Sequence, residues 1–135
     1  MPRKNNQPGK DGIMTDLNAL VAKIKKETDP DKVGMIVCHN GVVRGTTRAG
    51  EKAEFLEIDA DWNAWREIIA EMRQAPGISA VEAHLFTGRR QVGDDVMLVA
   101  VAGDIRENVF PVFETTVNRL KKEAVRKKEG LSPVR

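Results

Sequence analysis

Tyrosine is missing from this chain of 135 residues, cysteine occurs once, histidine twice, and aromatics make up only 4%. A single cysteine, Cys38, excludes an internal disulfide and a cysteine-built zinc cluster. His39 and His84 are far apart in sequence and lack the spacing of paired metal ligands. No metal and no resident cofactor are expected. Cys38 lies in the apolar run Met35-Ile36-Val37-Cys38, where a buried structural thiol is expected rather than a nucleophile. No apolar run approaches the roughly 20 residues of a membrane span, and the opening MPRKNNQPGKDG has no hydrophobic region of a secretory signal. A cytoplasmic protein is expected. There is also no Ser-His-Asp or Cys-His arrangement and no glycine-rich phosphate loop after a strand, while the carboxylates scatter over surface positions. What remains for chemistry is cationic.

The length suits one hydrophobic core. Residues 1–12 read as a disordered basic tail, residues 13–129 as one domain, and residues 130–135 as a flexible end. After Thr15, the residues Leu17, Leu20, Val21 and Ile24 predict a short amphipathic helix that stops before the Asp29-Pro30 turn. Strands are predicted over 34–40, running on through Gly41-Val42-Val43-Arg44-Gly45, and over 53–58. A helix over 61–74 carries Trp62, Trp65, Ile68, Ile69 and Met72 on one side and is closed by Ala75-Pro76-Gly77. Strands over 78–86 and 96–102 follow, the second reading VMLVAV and so buried on both faces. This order predicts an α+β fold with helices packed on a mainly antiparallel sheet.

From Arg106 onward, Val109, Phe110, Phe113, Val117, Leu120 and Ala124 recur at spacings of three and four, which predicts one helix with a single apolar stripe. At about 100° and 1.5 Å per residue, Lys121 and Lys128 fall within about 20° of each other at the stripe's edge, roughly 10 Å apart. That span suits two ammonium groups gripping one multiply charged small molecule. Lysines so placed equally often lay their methylenes on the core and keep their heads in water. Arg106 lies about 22 Å away along the same axis, so it shares their pocket only through a fold-back or a second subunit. Arg44 leaves a strand between Gly41 and Gly45, where a guanidinium can meet phosphate or carboxylate in two hydrogen bonds, or can simply be solvated. Gly103-Asp104-Ile105-Arg106 marks a strand-to-helix junction, which is either an anion site or a plain helix cap by Asp104.

Together these segments resemble the catalytic, larger subunit of molybdopterin synthase over about Gly34 to Glu129. The resemblance rests on Gly41-Val42-Val43-Arg44, on Val92-Gly93-Asp94-Asp95 leading into VMLVAV, on Arg106, and on the segment with Lys121 and Lys128. No one of them is specific, and the weight comes from the 15-residue gap between Arg106 and Lys121 followed by seven residues to Lys128. The resemblance implies an α/β hammerhead fold and a homodimer. It also implies that each protomer binds a ubiquitin-like sulfur-carrier small subunit with a Gly-Gly C-terminus, giving a heterotetramer. The implied reaction is sulfur transfer from the thiocarboxylated carrier to cyclic pyranopterin monophosphate, forming molybdopterin. Lys121 and Lys128 would be catalytic, and Arg44 and Arg106 would bind substrate. Ile105 stands where the family has a histidine, Arg126-Lys127 where it has an aromatic pair, and Asp59 where it has a tyrosine. The alternative is a catalytically degenerate binding module that docks a sulfur carrier or another acidic partner through the basic C-terminal segment, where seven basic residues face two acidic ones between Arg119 and Arg135. Nucleic acid ranks below both, because no aromatics are interleaved for base stacking.

Overall fold

The computed structural model describes residues 15–131, of which Leu131 by its backbone alone. The predicted tail over 1–12 lies outside the described residues, as do residues 132–135. The core is organised by strand β5 (Asp95–Gly103), which pairs antiparallel with β1 (Met35–Val42) on one side and β3 (Ile78–Leu85) on the other. Side chains alternate along a strand, and here both faces are covered. Leu98, Ala100 and Ala102 meet Leu20 and Ile24 of α1 (Leu17–Glu27), with Ala80 and Phe86 beside them. Met97, Val99 and Val101 pack with Trp65, Ile68 and Ile69 of α2 (Trp62–Arg73) and with Val109 and Val117 of α3 (Arg106–Arg119). This double burial is why the run VMLVAV lacks polar alternation. Asp16 and Asp61 cap the first two helices, accepting from the backbone N–H of Ala19 at 2.8 Å and of Ala64 at 3.1 Å.

The remaining strands form a second antiparallel sheet in the order β4-β2-β6, with β2 (Ala53–Ala60) between β4 (Gly88–Gln91) and β6 (Val125–Leu131). The strands therefore sort into two small sheets, and among the described residues every pairing is antiparallel. Neither β4 nor β6 is predicted by apolar alternation, because Gly-Arg-Arg-Gln and Val-Arg-Lys-Lys-Glu-Gly-Leu carry too few apolar residues.

The structure corrects the C-terminal helix. Regular α-helix ends at Arg119, a π-helical turn spans Leu120–Ala124, and the chain then extends as β6. The apolar spacing that predicts a helix is satisfied as far as Ala124, which is buried with Leu120. Beyond it, the open edge of β2 captures residues 125–131, and that pairing overrides the helix propensity of the lysines. Lys128 thus sits on a strand, and Gly130 and Leu131 continue that strand past Glu129, where the sequence closes the domain. Phe110 is also displaced from its predicted burial. It is half exposed, while Thr116 takes a buried place on the helix by returning its hydroxyl to the Val112 carbonyl at 2.7 Å.

Candidate functional site

The π-helical turn brings Lys121 to the junction of the two sheets. There it lines a cavity of about 190 Å³ whose walls are apolar, with Leu56 and Ile58 from β2, Leu85 from β3 and Met97 from β5. Gly41 and Val42 of β1 close one side. Among the described residues, the charged groups on the wall are Lys121, Lys127 of β6 and Arg48 of the 43–52 loop. Lys127 arrives by strand geometry. It is paired in register with Ile58, whose side chain is buried toward the core, so Lys127 shares that inner face; Lys128, paired with Glu57, points to the other.

Lys121 is exposed overall, with its side chain lining the cavity wall. Burial lowers its pKa first, and the like charges of Lys127 and Arg48 lower it further. A larger share of free amine at neutral pH follows. His39 on β1 stands nearby, its ring 6.5 Å from that of Phe113, and its Nε2 is buried with no hydrogen-bond partner. Burial holds the imidazole below its usual pKa, with the Lys121 charge adding to the effect. Two histidines without metal spacing carry no signal in the sequence, so this position is invisible there.

The structure brings only Lys121 of the four sequence-predicted residues into this cavity. Lys128 lines instead a wide groove of about 560 Å³ on the outer face of the second sheet, together with Glu57, Asp59, Arg89 and Arg126. Arg89 is fixed there by an ion pair to Glu57 at 3.0 Å and by stacking 3.8 Å over the Phe55 ring. Arg44 is exposed and donates from Nε to the Thr46 carbonyl at 2.9 Å, which leaves Arg48 as the loop's cation on the cavity wall. Arg106 is open to solvent at the start of α3, 3.9 Å from Glu107. Ile105 beside it is 53% exposed and serves as the N-cap without a side-chain hydrogen bond. Asp104, read from sequence as part of either an anion site or a plain cap, accepts from the Ile105 N–H at 2.7 Å and from Asn108 Nδ2 at 2.9 Å. Cys38 is exposed, which corrects its expected burial: α1 covers the neighbouring Ile36 and not the thiol. Among the described residues no cluster of His, Cys, Asp or Glu is placed to hold a metal ion, and no helix is long and apolar enough to cross a membrane.

The fold recurs in known proteins. The MoaE protein family matches residues 14–123 of the chain. Molybdopterin synthase from Staphylococcus aureus superposes with a TM-score of 0.69 at 25% identity, covering 84% of this chain and 85% of that one. Molybdopterin cofactor biosynthesis protein E from Burkholderia multivorans gives 0.68 at 27% identity, covering 89% and 88%. The complex of subunits 1 and 2 of the molybdopterin-converting factor from Helicobacter pylori shares the fold, with a TM-score of 0.66 at 16% identity over 96% of this chain and 88% of that one. No curated protein matches the chain by sequence. With the family's match running over most of the chain and its fold reproduced, the protein belongs to the MoaE family, the larger subunit of molybdopterin synthase, and has its role in molybdenum cofactor biosynthesis.

Proposed function

We propose that the chain is the sulfurtransferase subunit that passes sulfur from a thiocarboxylated, Gly-Gly-ended carrier to cyclic pyranopterin monophosphate. The observation that carries this reading is the composition of the Lys121 cavity: apolar walls, three cations and no acidic residue. Such a cavity attracts an anionic substrate, and its apolar walls strengthen the charges beside them. Lys121, shifted toward its free amine, acts as nucleophile or proton-transfer group at the pterin carbon. Lys127 and Arg48 hold the substrate phosphate and the carrier's terminal carboxylate, with Arg44 behind Arg48 on the same loop.

Arg106 serves the cavity of a second protomer. Ile105 and Phe110, both half exposed at the start of α3, give that homodimer an apolar seam. Lys128, with Arg89 and Arg126, faces the carrier from the outer groove. The related Helicobacter pylori structure is a complex of two subunits, which supports a small-subunit partner here. The outer groove also favours the second reading, a docking module for an acidic partner without turnover. Incubating the protein with thiocarboxylated carrier and cyclic pyranopterin monophosphate separates them. Molybdopterin forms under the first reading; tight carrier binding without product selects the second.

A further inference from the structure

Lys121 faces the like charges of Lys127 and Arg48, and among the described residues no carboxylate holds its direction. The groups facing it are Lys127 from β6, Arg48 from the 43–52 loop and His39 from β1. Around His39, β5 contributes Val99, its partner in register, and α3 contributes the Phe113 ring; Lys121 is the charge that acts on the imidazole. The wall beside the imidazole is bare backbone. Gly41 lines the cavity, and a methyl group on it would stand 3.0 Å from His39 Nε2, so a larger residue there would crowd the ring. Gly41 thus links the cavity that Lys121 lines to a buried nitrogen without a partner just behind it.

We propose that His39 is the positioning residue of the reacting lysine: its Nε2 accepts an N–H of Lys121 and turns the amine lone pair into the cavity. The neutral imidazole with its proton on Nδ1 has a free lone pair at Nε2 and meets this need. Protonation ends the arrangement, because an imidazolium has no lone pair at Nε2 to accept with and its charge repels Lys121. Activity is lost on the acid side as His39 gains its proton, at a pH below 6.5 since the folded environment lowers its pKa. No net chemistry occurs at the histidine, and a proton taken up from solvent at low pH is returned at high pH. This inference rests on Lys121 being the reacting amine.

The test compares wild type with His39→Gln, which keeps an acceptor but does not titrate, and His39→Phe, which keeps the packing against Phe113 and removes the acceptor. Wild type shows an acid limb with a midpoint below 6.5; His39→Gln retains kcat within a few-fold and loses that limb. His39→Phe loses about tenfold to 100-fold in kcat with KM unchanged, the scale expected when a reacting group is misaimed. In parallel, the Lys121 Cε–H NMR signal, assigned by its loss in Lys121→Gln, shifts at the His39 midpoint in wild type and not in His39→Gln. One pH profile shared by all three proteins, or a Lys121 signal indifferent to His39, overturns the proposal. If wild type makes no product while the Lys121 signal tracks His39, the pairing is upheld and the sulfur-transfer reading falls.

Discussion

Lys127 and Lys128 are adjacent in the chain yet face opposite sides of β6, so they answer substitution differently. Lys127 is one of two charges that depress the Lys121 pKa. Lys127→Ala removes that repulsion, and the Lys121 amine then needs a higher pH to lose its proton. The basic-side rise of a Lys121-dependent rate should move to higher pH in this variant and stay in place in Lys128→Ala, as rate profiles over pH 6–10 would show on the ordinary lysine scale of about 10.4. An unmoved profile in Lys127→Ala contradicts the shared cavity. Lys121 was legible in the sequence because the helical turn continues through Ala124 and keeps it beside the apolar stripe. Lys127 was not, since its direction depends on the two-residue period of a strand that exists only once β2 offers its edge. Arg48 and His39 were hidden for a similar reason: a loop cation and a lone histidine acquire meaning from what the fold sets opposite them.

At the scale of elements, the end of the first sheet meets the start of α3 across three glycines. A Cβ on Gly103 would lie 2.5 Å from the Gly77 carbonyl oxygen and 2.7 Å from Val109 Cγ2, both far inside contact distance. Gly103→Ala should therefore destabilise by about 1–3 kcal/mol, the usual scale of overpacking, read as a lowered thermal midpoint. A variant as stable as wild type refutes the close approach. Beside it, Asp104 holds the first turn of α3, and the Asn108 side chain, then the Ile105 N–H, hold its carboxyl below the ordinary value of 3.8. A depressed carboxylate contributes stability above its unfolded pKa and loses it as pH falls through the folded one. Asp104→Ala should melt earlier than wild type at pH 7, with the difference closing below pH 3.8. A gap independent of pH would show that charge plays no part. The first two helices and the four longer strands were legible because each carries the period of its own element, with Asp16 and Asp61 marking the helix starts. β4 and β6 were not, as polar strands at the edges of a sheet advertise no buried face.

The whole molecule pairs an apolar sheet, held between α1 on one face and α2 and α3 on the other, with a charged outer sheet, and the Lys121 cavity lies at their junction. The α+β class followed from the order of periodic segments, whereas the division into two sheets depends on strand pairings that no single segment encodes. Ile105 and Phe110 remain half exposed on the lone protomer, and burying large apolar side chains is worth about 1.5–3 kcal/mol each. Sedimentation at micromolar concentration should find a homodimer that Phe110→Asp weakens; a monomeric wild type would remove Arg106 from the proposed site. The central claim is that Lys121 carries sulfur transfer, and product formation by Lys121→Ala tests it most directly, with Lys122→Ala as the control. Both variants should keep the wild-type fold within about 0.5 kcal/mol. Given thiocarboxylated carrier and cyclic pyranopterin monophosphate, Lys122→Ala should form molybdopterin at the wild-type rate and folded Lys121→Ala none, whereas normal product from Lys121→Ala would contradict the account.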